Sequence, residues 1–190
     1  MSESLVHKPH GVIRNGWTAE VEDYALMCDW AAGGKAFVVG DASSTISCFD
    51  GKSWRLLWKK VKVHEGGLLS MAVHPGGAIV ASSGQNGEIV FWQINDGTLL
   101  GSKQISQNWI EHLAWSPAGT WLSAASSRTV LILDPEGAQK WQSNAHQSTV
   151  SAIAWSSDEE LATACYGKVT FFDFINDKVC LLYTSDAADE

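Results

Sequence analysis

Between Leu68 and Ile105 the chain passes through four short apolar-rich stretches, LLSMAVHP, AIVASSG, EIVFWQI and TLLGSKQI, separated by GG, QNG and NDG. Glycine at these points supplies the positive φ of tight hairpins, so the pattern predicts four antiparallel strands joined by short turns. Few stretches sustain a helical period. The design then recurs. ALMCDWAAGGKAFVVG, LSMAVHPGGAIVASSG, IEHLAWSPAGTWLSAAS and VSAIAWSSDEELATAC align on Trp30, His74, Trp115 and Trp155, at steps of 44, 41 and 40 residues. A second anchor follows each one: Phe49-Asp50, Trp92-Gln93, Leu133-Asp134 and Phe172-Asp173, with the acid or amide 20, 19, 19 and 18 residues after the first anchor. Four short strands in every roughly 40 residues are the unit of a β-propeller blade. The expected fold class is therefore all-β, with blades at residues 21–62, 63–104, 105–143 and 144–178, the last incomplete, after an N-terminal segment at 1–20.

Particular residues carry a family resemblance. AWSPAG, AWSSD, FFDF and the H-x-x-x-V-x-x-I-A-W of His146 to Trp155 resemble the Trp-Asp (WD) repeat family over roughly Val21 to Lys178. The resemblance implies propeller blades, about four of a ring that commonly has seven, and a non-catalytic scaffold for protein partners. The departures are specific. The Trp-Asp dipeptide itself appears as Phe-Asp, Trp-Gln, Leu-Asp and Phe-Asp, and only His64 and His146 stand near the place of the family's Gly-His pair. The acid that partners this histidine in the family is replaced by Ser43, Asn86, Ser127 and Tyr166, so the family's buried polar network is not expected in any blade. Trp58 and Trp141, late in their repeats, also resemble the inter-blade tryptophan of pyrroloquinoline-quinone-type propellers; both resemblances imply a propeller.

Composition narrows the function. A formal net charge of -8 argues against nucleic acid as the main partner. No apolar run is long enough for a transmembrane helix, and the N-terminus lacks the apolar region of a secretory signal. Four cysteines without a C-x-x-C pair, three of them in apolar alternation, read as free buried thiols of a reducing, cytoplasmic protein. The C-terminal stretch VCLLYTSDAADE needs separate treatment. From Cys180 to Glu190 it resembles an in-frame translation of the adapter used in transposase-based sequencing libraries, so 179–190 is expected to be a non-native tail, with VCLLYT imitating an outer strand. Without it, 18 acids face 13 bases, a net charge of -5, and three cysteines remain.

Few residues offer chemistry. The Gly-Lys-Ser of Asp50–Ser53 has Ile46 where a phosphate-binding loop needs glycine and precedes a strand, so it reads as a hairpin loop. His7 and His10 could hold a metal only weakly and read as part of an N-terminal tail, and no zinc spacing exists. His112 reads as structural. No cofactor, metal or catalytic residue is expected. Trp30, Trp92, Trp115 and Trp155 fall on strand anchors and read as core, while Trp58 and Trp141 read as inter-blade packing. Trp109 aligns with Thr149, just ahead of an inner strand, on the rim where family members commonly hold partners. Glu65, Gln107, Trp109, Arg128, Gln147 and Tyr166 are the expected partner-binding rim. Two rival readings are a small-molecule or catalytic site in the central channel, for which the inner strands offer mainly Glu111, His112 and serines, and a targeting domain of a larger enzyme. The composition of Gly11–Val21 would also suit a ring-closing outer strand.

Overall fold

The computed structural model describes residues 17–174 and the strand at 178–184. Among these residues sixteen strands form four antiparallel sheets, each joined in sequence order. The first holds β1 (Ala25–Ala31), β2 (Ala36–Asp41), β3 (Ile46–Asp50) and β4 (Leu56–Lys60). The second holds β5 (Leu68–Val73), β6 (Ile79–Gly84), β7 (Glu88–Gln93) and β8 (Leu99–Gln104). The third holds β9 (Ile110–Trp115), β10 (Leu122–Ser126), β11 (Thr129–Leu133) and β12 (Gln139–Gln142). The fourth holds β13 (Val150–Trp155), β14 (Glu160–Cys165), β15 (Lys168–Asp173) and β16 (Lys178–Thr184). The four runs predicted between Leu68 and Ile105 correspond to β5–β8. Glycines end the turns as expected: Gly77, Gly87 and Gly97 have φ of 72°, 71° and 69°. At Gly87 a Cβ would also come within 2.2 Å of the Ser106 carbonyl oxygen, so the turn needs glycine for space as well as for φ.

The sheets stand in an open arc, with β1, β5, β9 and β13 as successive neighbours along the inner side. Their antiparallel order places the turns between second and third strands, and the crossings from sheet to sheet, on one face of the arc, here the upper. The remaining hairpins lie on the lower face. The core lies between sheets. Val38, Ile46, Cys48 and Trp58 of the first sheet pack on Leu68, Val80, Val90 and Trp92 of the second. Ala72, Ala81, Ile89 and Phe91 pack on Ile110, Leu113, Trp115 and Leu122 of the third. Val130 and Ile132 pack on Val150, Leu161 and Phe172 of the fourth, with Trp141 and Trp155 at the edge. Indole N–H groups stitch these layers: Trp58 Nε1 donates to Ile94 O at 2.6 Å, Trp115 Nε1 to Ala72 O at 3.1 Å and Trp155 Nε1 to Ala114 O at 3.1 Å. Trp58 and Trp141 therefore pack between sheets.

Two expectations of burial are corrected. Trp30, the counterpart of Trp115, is 48% exposed, because among the described residues no sheet covers that side of the first one; it packs on Phe37 and Trp54 instead. Cys28 is exposed on the same sheet, whereas Cys48 and Cys165 are buried. Lys178–Thr184 pairs with β15 from Asp173↔Lys178 to Lys168↔Thr184, so the segment expected to imitate an outer strand stands in that place. Strand pairing uses main-chain groups, so an alternating apolar segment of any origin can meet it. Trp17 to Val21, the described part of the Gly11–Val21 stretch, lies outside any strand, and Trp17 stacks on Trp54 at 5.7 Å and meets Phe49 edge-on at 5.3 Å. Residues 1–16, including His7 and His10, lie outside the described residues, as does the remainder of the proposed closing strand.

Two outcomes test this layering. Leu133→Ala, at a fully buried position between the second and third sheets, should cost about 2–5 kcal/mol in urea unfolding, and Leu99→Ala, 57% exposed on an outer strand, less than about 0.5 kcal/mol. Burial also pushes the Cys48 thiol up to about 11. Alkylation near neutral pH followed by peptide mass mapping should therefore mark Cys28 well before Cys48.

Candidate functional site

The inner strands share an irregularity. Each carries one extra residue where it meets its neighbour: Leu26 in β1, Leu69 in β5, Glu111 in β9 and Ser151 in β13. Such bulges re-aim side chains, and only the third sheet places a carboxylate there. Glu111 forms part of a cleft of about 370 Å³ on the upper face, between the second and third sheets. Trp109, two residues earlier, supplies an indole that is 52% exposed. Gln107 and Asn108 from the same crossing, Gln85 from the β6–β7 turn, Ser127 from the β10–β11 turn and Thr149 ahead of β13 complete the lining. The walls are firmly held. Ser106 N and Ile105 N both donate to Gly87 O, at 3.1 and 3.0 Å, and Val150 N donates to Ser127 O at 2.8 Å.

Of the six predicted rim residues, the cleft gathers Gln107 and Trp109. Arg128 is exposed beside Ser127, but its Nε donates to His146 O at 2.6 Å, which leads the guanidinium toward the fourth sheet. Gln147 Nε2 donates to Tyr166 O, so these two form a separate exposed patch one sheet further on. Glu65 is exposed outside the cleft; the Gly66–Gly67 turn beside Gln85 gives the lining position to Gln85 instead. Reading the sequence alone missed Gln85, Asn108, Ser127 and Thr149 as cleft residues. Alignment of the turns was the signal that could have found Gln85 and Ser127.

Below this face the structure corrects another expectation. The buried polar network survives in the second sheet. His64 Nε2 lies 2.9 Å from Ser82 Oγ, Trp92 Nε1 donates to the same hydroxyl at 3.0 Å, and His64 Nδ1 lies 3.2 Å from Asn86 Oδ1. Asn86 Nδ2 donates to Glu88 Oε2 at 3.1 Å, which turns Oδ1 toward the ring and assigns the proton to His64 Nδ1. An amide thus does the orienting work of the missing acid. The fourth sheet keeps part of the same arrangement, with His146 Nε2 2.9 Å from Thr163 Oγ1 and Nδ1 3.0 Å from Arg128 O, above Phe172 rather than a tryptophan. His74 and Asp158 tie the lower face. His74 Nε2 donates to Gly119 O at 3.1 Å, and Asp158 accepts from Ala118 N at 2.8 Å and Thr120 Oγ1 at 2.5 Å. These bonds, the Thr120 hydroxyl first, hold the Asp158 carboxyl below its ordinary range.

The Asp50–Ser53 stretch is the hairpin between β3 and β4. Asp50 Oδ1 accepts from Ser53 N at 2.6 Å, Ser53 Oγ at 2.7 Å and Lys52 N at 3.1 Å, which closes the turn and lowers the Asp50 pKa. Among the described residues, no three His, Cys, Asp or Glu side chains converge as a metal site would, and no helix is long and apolar enough to cross a membrane.

Four-stranded sheets in an arc, indoles bonded across the layers and a His–Ser–Trp chain together define a WD-type propeller segment. The profile of the WD domain, G-beta repeat family matches residues 56–93, 97–134 and 138–173, more than half of the chain, and the protein belongs to that family. Each matched repeat begins with the outer strand of one sheet and continues through three strands of the next, as in β4 followed by β5–β7. The chain is 34% identical over 77 residues to the small ribosomal subunit protein RACK1 of Schizosaccharomyces pombe, covering 40% of this chain and 24% of that one. It is 31% identical over 121 residues to the cross-pathway control WD-repeat protein 2 of Flammulina velutipes, covering 56% and 38%. It thus spans well under half of the length of these relatives. Among solved structures, the WD40 repeats of RRP9 superpose with a TM-score of 0.80 at 19% identity, over 87% of this chain and 52% of that one, a likeness of fold.

Burial depresses the His64 pKa below its ordinary 6.5. A histidine held neutral by the fold stabilises it above the unfolded pKa, and that contribution is lost as pH falls through the lower folded value. Between about pH 7 and pH 5 the melting temperature should fall more steeply in the natural protein than in His64→Gln. Parallel slopes in a calorimetric series would place the acid sensitivity elsewhere.

Proposed function

We propose that this protein is a non-catalytic, cytoplasmic scaffold for protein–protein interaction, and that its partner surface is the upper face of the arc, centred on Trp109. One observation carries the reading: an indole 52% exposed stands on a crossing whose main chain is bonded to the neighbouring turn. Exposed aromatic side chains on rigid supports are the usual anchors of protein interfaces, since little freedom is lost when they are covered. Gln107 beside Trp109, with Arg128, Gln147, Tyr166 and Glu65 around them, supplies the mixed polar and aromatic surroundings of an interface. Family membership supports the same reading, as does the relative named as a small ribosomal subunit protein, which works within an assembly. Neither nucleic acid nor membrane is assigned as a partner, in keeping with the formal net charge of -8. The adapter-like residues 180–190 are given no part in function.

The test is a crosslinking pull-down from the source cells with the full-length protein. Trp109→Ala combined with Arg128→Ala should remove partners at unchanged melting temperature, whereas Glu136→Ala on the lower face should retain them. A partner list untouched by the double substitution would refute the upper face as the binding surface.

A further inference from the structure

The polar side chains lining the Trp109 cleft share one property. Gln85, Gln107 and Asn108 present three carboxamides, Ser127 and Thr149 two hydroxyls, and Glu111 a carboxylate. None of these six side chains makes a hydrogen bond or ion pair within the described chain, although Asn86, Arg128, His146 and Gln147 close by are all committed. The cleft contains no cation. Arg128, at its margin, is drawn away by the His146 carbonyl, and the two ion pairs among the described residues, Lys59–Glu22 and Lys140–Asp134, lie elsewhere. Glu111 stands there because of the β9 bulge, where the other inner strands carry leucine or serine.

From this we infer that the cleft receives an arginine side chain of the partner protein, an inference that rests on the upper-face reading above and names the group recognised. The chemistry fits on three counts. A cation lying over the exposed face of Trp109 is attracted by the ring's negative quadrupole, and guanidinium adds planar stacking to that attraction. The Glu111 carboxylate can accept two of its N–H groups in parallel. The remaining donors meet an acceptor-rich wall of amides and hydroxyls, which suits five fixed N–H groups better than a compact ammonium. Guanidinium also sheds its hydration more readily than lysine's ammonium, so the half-open cleft disfavours it less. The volume of about 370 Å³ accommodates the planar group and its stem, with the partner's main chain left on the rim.

The experiment separates this inference from the broader one, because it uses no partner. The full chain, labelled with nitrogen-15, is titrated at constant ionic strength with N-acetyl-arginine amide, and in parallel with the lysine and citrulline analogues. The Trp109 indole N–H and the Asn108 and Ser127 amides serve as reporters. The arginine derivative should give saturable shifts with a Kd on the order of 10 mM, lysine should bind about threefold or more weaker, and neutral citrulline should give no saturable shift. Glu111→Gln should weaken arginine binding about threefold or more, and Trp109→Ala, read at Asn108 and Ser127, about threefold to tenfold, with the remaining amide spectrum unchanged. Equal binding of citrulline and arginine, lysine binding as tight as arginine, or no saturable shift at all would overturn the arginine assignment. The pull-down above would then decide separately whether the face binds proteins.

Discussion

Every sheet in this protein depends on the one beside it. A sheet of four strands, each four to seven residues long, has two apolar faces and no means of covering either by itself. Stability comes from pressing consecutive sheets together, so that Ile89, Val130 or Phe172 is buried by residues some 40 positions away. At these contacts the indole N–H bonds of Trp58, Trp115 and Trp155 satisfy a donor that burial would otherwise leave unpaired. The inter-sheet layer therefore combines apolar area, which is non-directional, with a hydrogen bond that fixes the register of one sheet against the next. The upper face inherits its rigidity from that register, since its turns are held from both sides.

The same dependence explains what could be read from the chain. Strands and turns are local: an alternating run closed by Gly77, Gly87 or Gly97 announces itself within ten residues, and β5–β8 followed the pattern closely. Exposure is not local. Trp30 and Trp115 occupy equivalent strand positions, and only the presence or absence of a covering sheet separates 48% exposure from 8%. Cys28 was misjudged for the same reason. The outer strand β16 shows the converse, since pairing needs only suitable main chain and alternation, and so carries no information about where the segment came from.

The cleft was legible only in part. Trp109 stood out because it interrupts an aligned position, and that signal needed no structure. Glu111 did not, because a bulge shifts a side chain by one position without altering the apolar pattern around it. The surviving network of the second sheet was missed for a chemical reason: a rule that looks for a carboxylate rejects Asn86, although its amide oxygen accepts from His64 as a carboxylate would. Arg128 and Gln147 illustrate a third kind of loss. Their side chains reach neighbouring carbonyls, and that commitment cannot be seen from composition.

Replacing the acid by Asn86 has one more consequence. From Trp92 through Ser82 and His64 to Asn86, every partner in the buried chain is uncharged in the folded state. Such a chain can strengthen by mutual polarisation without the desolvation cost that a buried ion would impose. Dissolved salt, which weakens a surface pair such as Lys140–Asp134 over a Debye length of about 8 Å, meets a charge only at the outer end of this chain, where the Glu88 carboxylate accepts from Asn86. The second sheet is thus fastened mainly by dipoles, and its hold depends less on ionic strength than a buried ion pair would.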